Sequence, residues 1–299
     1  LYWISISLTF DQSFKFLIPL TIFLIPAFLA IFYGLVTFSF MIIKPKNTIN
    51  SFLIFSLIFA ILEFTRGSIL TGFPWNLIAY SFLNQLEIIS ITSIIGTYGF
   101  NLFCISLFSS PALLILRESY RELVVFIFFL VSLFSFYFYG SYYEKKFQTS
   151  DNINLDYKIR VIGSNISLDR FYGDINSSLI LEELIKISNP NLDDKTIFIW
   201  PEGILPGIFQ NELVKYNELF KNKFNNNHIL AIGINSQNIV DDSNSYFNTF
   251  SVYDNELHLL NSYDKINLVP FGEFLPFENI LSLIGLKTIT NNYQSYTKG

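Results

Sequence analysis

The sequence predicts a polytopic α-helical membrane region followed by a water-exposed α/β domain. The 299 residues are 51% apolar and only 14% charged, whereas soluble domains carry about 25% charged residues. Long apolar runs with few charges dominate residues 1–140, and polar residues return from residue 141 onward. We therefore predict a transmembrane domain at residues 1–141 and a second domain at residues 142–299.

Four apolar segments could form the spans of the first domain. A helix needs about 20 apolar residues to cross a bilayer, and residues 16–43, 52–64, 86–116 and 123–139 reach or approach that length. The second segment is short and could continue to residue 70. Residues 1–10 resemble the end of an earlier span, and the only methionine is Met41. We therefore expect the sequence to be a piece of a longer protein.

The loops between these segments predict an orientation. Lys44 and Lys46 lie between the first two spans, and Arg117 and Arg121 lie between the last two. Short loops rich in Lys and Arg remain in the cytoplasm. The loop at residues 66–85 and the domain that follows residue 139 are then expected on the outer side of the membrane.

The outer loop combines features of a span and of a surface loop. Residues 65–80 read TRGSILTGFPWNLIAY, which is too interrupted for a straight span and too apolar for a solvated loop. Aromatic side chains such as that of Trp75 are enriched at the level of the lipid headgroups. Two interpretations stay open: an ordinary interfacial loop, or a re-entrant wall of a lipid-facing site in which Arg66 binds a phosphate.

The second domain shows alternating strand and helix patterns. Strands are predicted at residues 159–162, 196–200 and 229–234, helices at 175–187 and 212–220, and a hairpin at 246–253 and 256–260. Strands that alternate with helices favour a layered sheet with helices on its faces.

Charge and residue counts exclude several classes of function. A net charge of −5 without a basic stripe argues against a nucleic-acid partner. The single cysteine, Cys104, excludes an internal disulfide framework and a CxxC metal site. His228 and His258 lack the spacing of a zinc site. We predict neither a metal nor a cofactor.

Three charged residues in apolar surroundings are the best candidates for a catalytic site. Glu202 follows the strand predicted at 196–200, and Lys265 and Glu273 lie in a proline-containing loop. A desolvated carboxyl can have its pKa raised toward the pKa that a general base requires, and a nearby ammonium can stabilise an oxyanion. Acyl transfer would still need a nucleophile. Taken singly, Glu202 could instead cap a helix and Lys265 could pair with Asp264.

Three motifs carry a resemblance to a known family. They are WPEGILPG at residues 200–207, YDKINLVPFGEFLP at 263–276 and RGSILTGFPW at 66–75. Together they resemble bacterial apolipoprotein N-acyltransferase, a family that joins a polytopic membrane domain to an outward-facing nitrilase-like domain. The resemblance implies an αββα sandwich for the second domain, here truncated at its C-terminal end.

The resemblance also implies roles for individual residues in a Glu-Lys-Cys triad. Glu202 would be the general base, Lys265 would stabilise the tetrahedral intermediate, and Glu273 would be a supporting acid. Asn248, in YFNTF, matches an element that we expect to be structural. Tyr172 stands where the family usually has Trp, so we expect it, with Arg66 and Trp75, to contact the substrate.

The implied reaction is the final step of lipoprotein maturation at the bacterial inner membrane, with the nitrilase-like domain facing the periplasm. A phospholipid donates an acyl chain to a cysteine, and the N-terminal diacylglyceryl-cysteine of an apolipoprotein accepts it. We expect that nucleophilic cysteine, and a further transmembrane helix, beyond Gly299. Cys104 lies in the middle of an apolar span and is expected to serve packing.

Two other functions stay open. A membrane-tethered nitrilase or amidase acting on small amides would share the triad but would not need a lipid-facing wall. A catalytically inactive membrane scaffold would retain the same sequence features. A transporter is disfavoured, because charges within the spans are expected in transporters and we interpret Glu63 as interfacial.

Overall fold

A computed structural model describes residues 2–9, 12–69, 72, 74–149, 156–163, 176–205, 207–240, 243–270, 272–277 and 295–299. The chain divides into two compact units. Unit 1 comprises Leu1–Ser7 and Phe14–Asn152, and unit 2 comprises Leu8–Ser13 and Ile153–Gly299.

Unit 1 is helical. Its α-helices are α1 (Tyr2–Ser5), α2 (Ile18–Ile43), α3 (Thr48–Ser68), α4 (Leu86–Ile89), α5 (Thr92–Ser109), α6 (Pro111–Ile115) and α7 (Tyr120–Thr149). Shorter 3₁₀ helices occupy Ile6–Thr9, Gln12–Leu17 and Ile78–Phe82. Four helical segments are long and apolar enough to cross a membrane: Lys15–Ile43, Thr48–Ser68, Thr92–Ile115 and Tyr120–Thr149. The four predicted spans are thus confirmed as helices of membrane-spanning length.

Local sequence signals explain where these helices begin and break. The side chain of Asn47 accepts a hydrogen bond from the backbone N–H of Asn50 at 2.8 Å, so it caps the start of α3. The segment predicted as one span at 86–116 is instead divided into α4, α5 and α6. Gly96 interrupts α5 with a φ of 70°, a conformation that favours glycine, and Pro111 starts α6.

Unit 2 is built on one five-stranded mixed sheet. Its strands are β1 (Lys158–Val161), β2 (Thr196–Trp200), β3 (His228–Val240), β4 (Ser243–Tyr253) and β5 (Leu259–Asp264), in that spatial order. Strands β1, β2 and β3 are parallel, and β3, β4 and β5 are antiparallel.

The helices among the described residues of unit 2 are α8 (Ser177–Ser188), a 3₁₀ helix at Gln210–Tyr216 and α9 (Asn217–Phe220). The predicted layered arrangement of a sheet with helices is confirmed. The helix expected over 212–220 is confirmed, as the 3₁₀ helix followed directly by α9. Strand β3 is also longer than predicted, since it continues to Val240.

One face of the sheet forms the core of unit 2. Side chains alternate along a strand, so Phe198 and Trp200 of β2 point to the same face and are almost fully buried. Leu181 and Leu184 of α8 belong to the same apolar cluster. The indole N–H of Trp200 donates to Ser188 Oγ at 2.9 Å. This buried contact fixes the end of β2, two residues before Glu202.

Strands β3 and β4 extend beyond the rest of the sheet. The pairing of β2 with β3 ends at Ile232, and the pairing of β5 with β4 begins at Thr249. Among the named strands, residues 236–240 and 243–247 pair only with each other. We call this two-stranded extension the ribbon. Asn235 and Asn248 pair across its root.

Candidate active site

The turn after β2 places Glu202 at the carboxyl end of a parallel strand. Pro201 ends the strand, and Gly203 adopts a φ of 66°, which favours glycine. The neighbouring strand β3 passes very close at Gly233. A Cβ atom on Gly233 would lie 2.6 Å from Glu202 Cα and 2.8 Å from Glu202 N. Glycine at this position therefore allows the Glu202 turn to lie against β3.

Lys265 brings two carboxylates together. Its Nζ donates to Glu202 Oε1 at 2.9 Å and to Glu273 Oε1 at 3.0 Å. The exposed fraction of the side chain falls from 59% for Glu202 to 29% for Lys265 and 11% for Glu273. The structure thus assembles the three candidate residues, although 63 positions separate Glu202 from Lys265. Their catalytic roles stay predictions.

The Asn248 side chain is the fourth member of this cluster. Its Nδ2 donates to Glu202 Oε1 and, at 2.6 Å, to Glu273 Oε1. Asn248 was expected to be structural, and the structure shows that it contacts both carboxylates directly. Two like charges at one place repel each other. An ammonium and an amide that each contact both of them offset that repulsion.

Backbone hydrogen bonds hold Glu273 in place. Its Oε2 accepts from the Val269 N–H at 2.7 Å, and its own N–H donates to Val269 O at 2.8 Å. The Tyr296 N–H donates to Glu273 O at 2.7 Å, and the Gly299 N–H donates to Lys265 O at 3.2 Å. Sequence reasoning missed Tyr296, because nothing in the pattern of residues 295–299 signals this contact.

The pKa directions follow from these contacts. The hydrogen bond from Lys265 lowers the pKa of the Glu202 carboxyl; burial works against this, and Asn248 adds to it. For Lys265, burial lowers the pKa, but the hydrogen bonds to Glu202 and Glu273 outweigh it and the pKa is raised overall. The expectation that desolvation raises the pKa of Glu202 is therefore wrong. The carboxylate is too exposed, and its ion pair is too close, for desolvation to dominate.

This geometry leaves one oxygen of Glu202 available for proton transfer. Both hydrogen bonds that the described residues make to Glu202 use Oε1. In the described part of the chain Oε2 has no hydrogen-bond partner, and the side chain is more than half exposed. An ionised carboxylate with one accessible oxygen can accept a proton, and the adjacent ammonium can stabilise a developing oxyanion.

In unit 1, Arg66 is buried rather than exposed to a ligand. Its Nε and Nη2 donate to the two carboxylate oxygens of Glu63 at 3.2 and 3.0 Å, and its Nη1 donates to Trp75 O at 2.9 Å. Arg66 and Glu63 are each only 2% exposed. Binding of a substrate phosphate by Arg66 stays a prediction, and it would require Arg66 to exchange some of these contacts.

Glu63 lies five residues before the end of the candidate span Thr48–Ser68 and is buried in the protein, and its interfacial depth stays a prediction. Its carboxylate lies inside α3 packing as half of a bidentate ion pair. The candidate span Thr48–Ser68 therefore carries one acid and one base that pair with each other. Trp75 is 45% exposed, with its ring centroid 4.7 Å from that of Trp3. Tyr172 lies outside the described residues.

Cys104 is fully buried in the helical packing of α5, beside Phe100 in one apolar cluster. Its expected packing role is confirmed. Over the described ranges, with Tyr172 and its neighbours outside them, no group of three or more His, Cys, Asp or Glu residues could hold a metal ion.

Known proteins share similarity with the whole chain. Residues 1–110 match the family described as the apolipoprotein N-acyltransferase N-terminal domain. Curated proteins named apolipoprotein N-acyltransferase match all of the chain at 26% identity in Brucella melitensis biotype 1, 27% in Rhodopseudomonas palustris and 28% in Rickettsia prowazekii.

The chain is similar along its whole length to proteins named apolipoprotein N-acyltransferase. The resemblance predicted from the three motifs is thus confirmed. The matches cover 57%, 58% and 59% of these three relatives, so the chain spans a little over half the length of the acyltransferases that it matches. The matched length covers both unit 1 and the acid–lysine cluster of unit 2. Helices of membrane-spanning length and a candidate active site therefore occur in one polypeptide.

Proposed function

We propose that this chain supplies the membrane domain and the acid–base part of the active site of an apolipoprotein N-acyltransferase. The observation that carries the proposal is the contact of Lys265 Nζ with both Glu202 Oε1 and Glu273 Oε1. Glu202 lies in the motif at residues 200–207, and Lys265 and Glu273 lie in the motif at 263–276; both motifs carry the resemblance. We further propose a place in the carbon–nitrogen hydrolase superfamily, with an αββα sandwich of which the mixed sheet and its helices are one half.

The first half-reaction would load the enzyme with an acyl chain. Glu202 Oε2 takes the proton of a cysteine thiol, and the thiolate attacks the carbonyl carbon of a phospholipid ester. A C–S bond forms, the C–O bond to the glycerol breaks, and the departing alkoxide takes the proton from Glu202, so a lysophospholipid leaves. Lys265 stabilises the negative charge on the carbonyl oxygen while the carbon is tetrahedral.

The second half-reaction would transfer the acyl chain to a lipoprotein. The α-amino group of the diacylglyceryl-cysteine attacks the thioester carbonyl and loses a proton to Glu202. A C–N bond forms, the C–S bond breaks, and the thiolate regains its proton from Glu202. Because Glu202 is ionised at neutral pH, it can act as base at the start of each half-reaction.

The nucleophile belongs to a part of the protein beyond residue 299 in this proposal. Cys104 is the only cysteine of the chain, and its thiol is fully buried among the helices of unit 1. A thiol that is fully buried in apolar packing is inert toward substrates. Lys44, Lys46, Arg117 and Arg121 would face the cytoplasm, and unit 2 the periplasm, across the bacterial inner membrane.

The proposal can be tested with the full-length protein in liposomes that contain phospholipid and a synthetic diacylglyceryl-cysteine lipopeptide. Mass spectrometry measures N-acylated product, and hydroxylamine-sensitive label measures the acyl thioester. We expect Glu202→Gln and Lys265→Met each to lower the rate of product formation by at least about 100-fold. Glu218→Gln is the matched control, because Glu218 is an exposed acid of unit 2 that lies outside the cluster.

Each alternative predicts a different result. A small-amide amidase would hydrolyse short amides without phospholipid and would form no N-acylated lipopeptide. An inactive scaffold would form neither the thioester nor the product. Wild-type rates in Glu202→Gln would contradict the assignment of Glu202 as general base.

A further inference from the structure

Unit 1 contains a cavity that the proposed reaction does not use. It has a volume of about 530 Å³ and opens where α2 ends and α3 begins, beside α5 and α6. Its wall is mostly apolar and includes Phe40, Phe52, Phe55, Phe108 and Leu113. We call it the Lys46 cavity, after the cation at its rim.

The rim of the Lys46 cavity carries one cation and one anion. Lys46 lies in the loop between α2 and α3, and its ammonium makes no hydrogen bond or ion pair with any residue that the structure describes. Glu118 lies between α6 and α7, and its Oε1 accepts from Thr48 Oγ1 at 3.3 Å. Both side chains line the same cavity, yet they form no salt bridge with each other.

The position of the cavity relative to the spans indicates a lipid as its occupant. The candidate spans that supply its wall end or begin at Ile43, Thr48 and Ile115. Side chains at the end of a span lie at the depth of the lipid headgroups. Lysine is favoured there, because its ammonium reaches the headgroup layer while its methylene groups stay in apolar surroundings. A cavity of this size can hold a large part of a lipid-sized molecule.

We propose that the Lys46 cavity binds a phospholipid whose headgroup carries a primary amine. The phosphate contacts the Lys46 ammonium, the amine donates to the Glu118 carboxylate, and an acyl chain lies along the phenylalanine wall. Charge complementarity selects this headgroup. A glycerol headgroup satisfies Lys46 but offers Glu118 only neutral hydroxyl donors, whereas a primary ammonium adds an opposite charge, and a quaternary choline has no N–H to donate. This inference depends only on unit 1 and is independent of the proposed acyl transfer.

Photo-crosslinking can test the site in the 299-residue chain. The chain is reconstituted in phosphatidylcholine nanodiscs that contain a small fraction of phosphatidylethanolamine with a diazirine in its acyl chain. Phosphatidylglycerol and phosphatidylcholine with the same labelled chain serve as comparison lipids. Labelled peptides are then mapped by mass spectrometry. We expect the ethanolamine lipid to label peptides around Phe52, Phe55 and Leu113 about tenfold more than either comparison lipid.

Variants separate the two headgroup contacts. Lys46→Gln is expected to lower labelling by the ethanolamine lipid to the level of phosphatidylcholine, and Lys46→Arg should restore it. Glu118→Gln is expected to remove the preference for ethanolamine over glycerol. Lys44→Gln is the matched control, because Lys44 lies in the same loop but does not line the cavity. Thermal unfolding of each variant establishes that it is folded.

Two results would overturn the proposal. Equal labelling by all three lipids, unaffected by Lys46→Gln, would mean that only bulk lipid fills the cavity. Stronger labelling by phosphatidylglycerol, lost in Lys46→Gln but unchanged in Glu118→Gln, would mean an anionic-lipid site without recognition of an amine.

Discussion

Gly233→Ala tests the close approach of β3 to the Glu202 turn. The new Cβ would lie 2.6 Å from Glu202 Cα and 2.9 Å from Pro201 O, whereas an ordinary contact needs at least 3.4 Å. All of these neighbours are backbone atoms, so no side chain can rotate away. Forcing an extra carbon into such a packed place costs about 1–3 kcal/mol. For a unit of this size, we expect the midpoint of thermal unfolding to fall by roughly 2–12 °C.

Trp200 provides a probe that is specific for unit 2. The chain contains three tryptophans, and the other two, Trp3 and Trp75, belong to unit 1. In a Trp3→Phe, Trp75→Phe background, fluorescence reports only the buried indole of β2. The full chain is unfolded by heating in detergent micelles, with and without Gly233→Ala.

Gly163→Ala is the matched control. Gly163 follows β1 in the same unit, and a Cβ there meets no heavy atom of the described residues within 4 Å. We expect its midpoint to stay within about 1 °C of the parent, since a change with no packing consequence costs less than about 0.5 kcal/mol. Equal midpoints for the two alanine variants would refute the close approach, and with it the way in which β3 positions Glu202.

Three further predictions concern buried or paired groups. The ion pair lowers the pKa of Glu202 in the folded state below its ordinary 4.5, so its stabilising contribution is present at neutral pH and lost as pH falls through the folded value. An acid titration of Trp200 fluorescence should show this loss, and Lys265→Met should reduce it. Glu63→Gln leaves the Arg66 cation buried without its carboxylate and should lower the free energy of unfolding of unit 1 by about 3–5 kcal/mol. A double variant that also replaces Arg66 with Met should recover much of this when the helical circular dichroism signal is followed on heating in detergent. Ser188→Ala removes the acceptor of the buried indole N–H and should cost about 1–3 kcal/mol by the fluorescence assay, whereas Ser188→Thr should retain most of the stability.

The number of membrane-spanning helices could be predicted because apolar length is a local property of the sequence. The breaks at Gly96 and Pro111 were harder to place, because a single glycine or proline within an apolar run is compatible with several helix geometries. Glu63 and Arg66 are spaced i, i+3, which places them on one helix face. That spacing was the available signal for their ion pair, but it does not reveal whether the pair is buried.

The candidate site was predictable only in part. Glu202 and Lys265 could be selected because charges stand out among apolar neighbours, and the resemblance joined them across the chain. The double contact of Asn248 could not be predicted, since an amide in a strand most often hydrogen-bonds water or backbone. The length of β3 was missed for a similar reason: residues 236–240 contain Ser, Gln and Asn, so the ribbon has no alternating apolar pattern.

The ribbon has a consequence for how the site opens. No other named strand pairs with the ribbon, although the Thr297 N–H donates to Tyr246 O at 2.7 Å. Because a two-stranded pair is marginally stable in water, amide protons of residues 236–240 should exchange with solvent sooner than those of Phe198 or Leu230. Asn248 lies at the boundary between the ribbon and the more extensively paired part of the sheet. We therefore expect fraying of the ribbon to end at Asn248, whose side-chain amide contacts both carboxylates, so that opening of the ribbon would loosen the cluster.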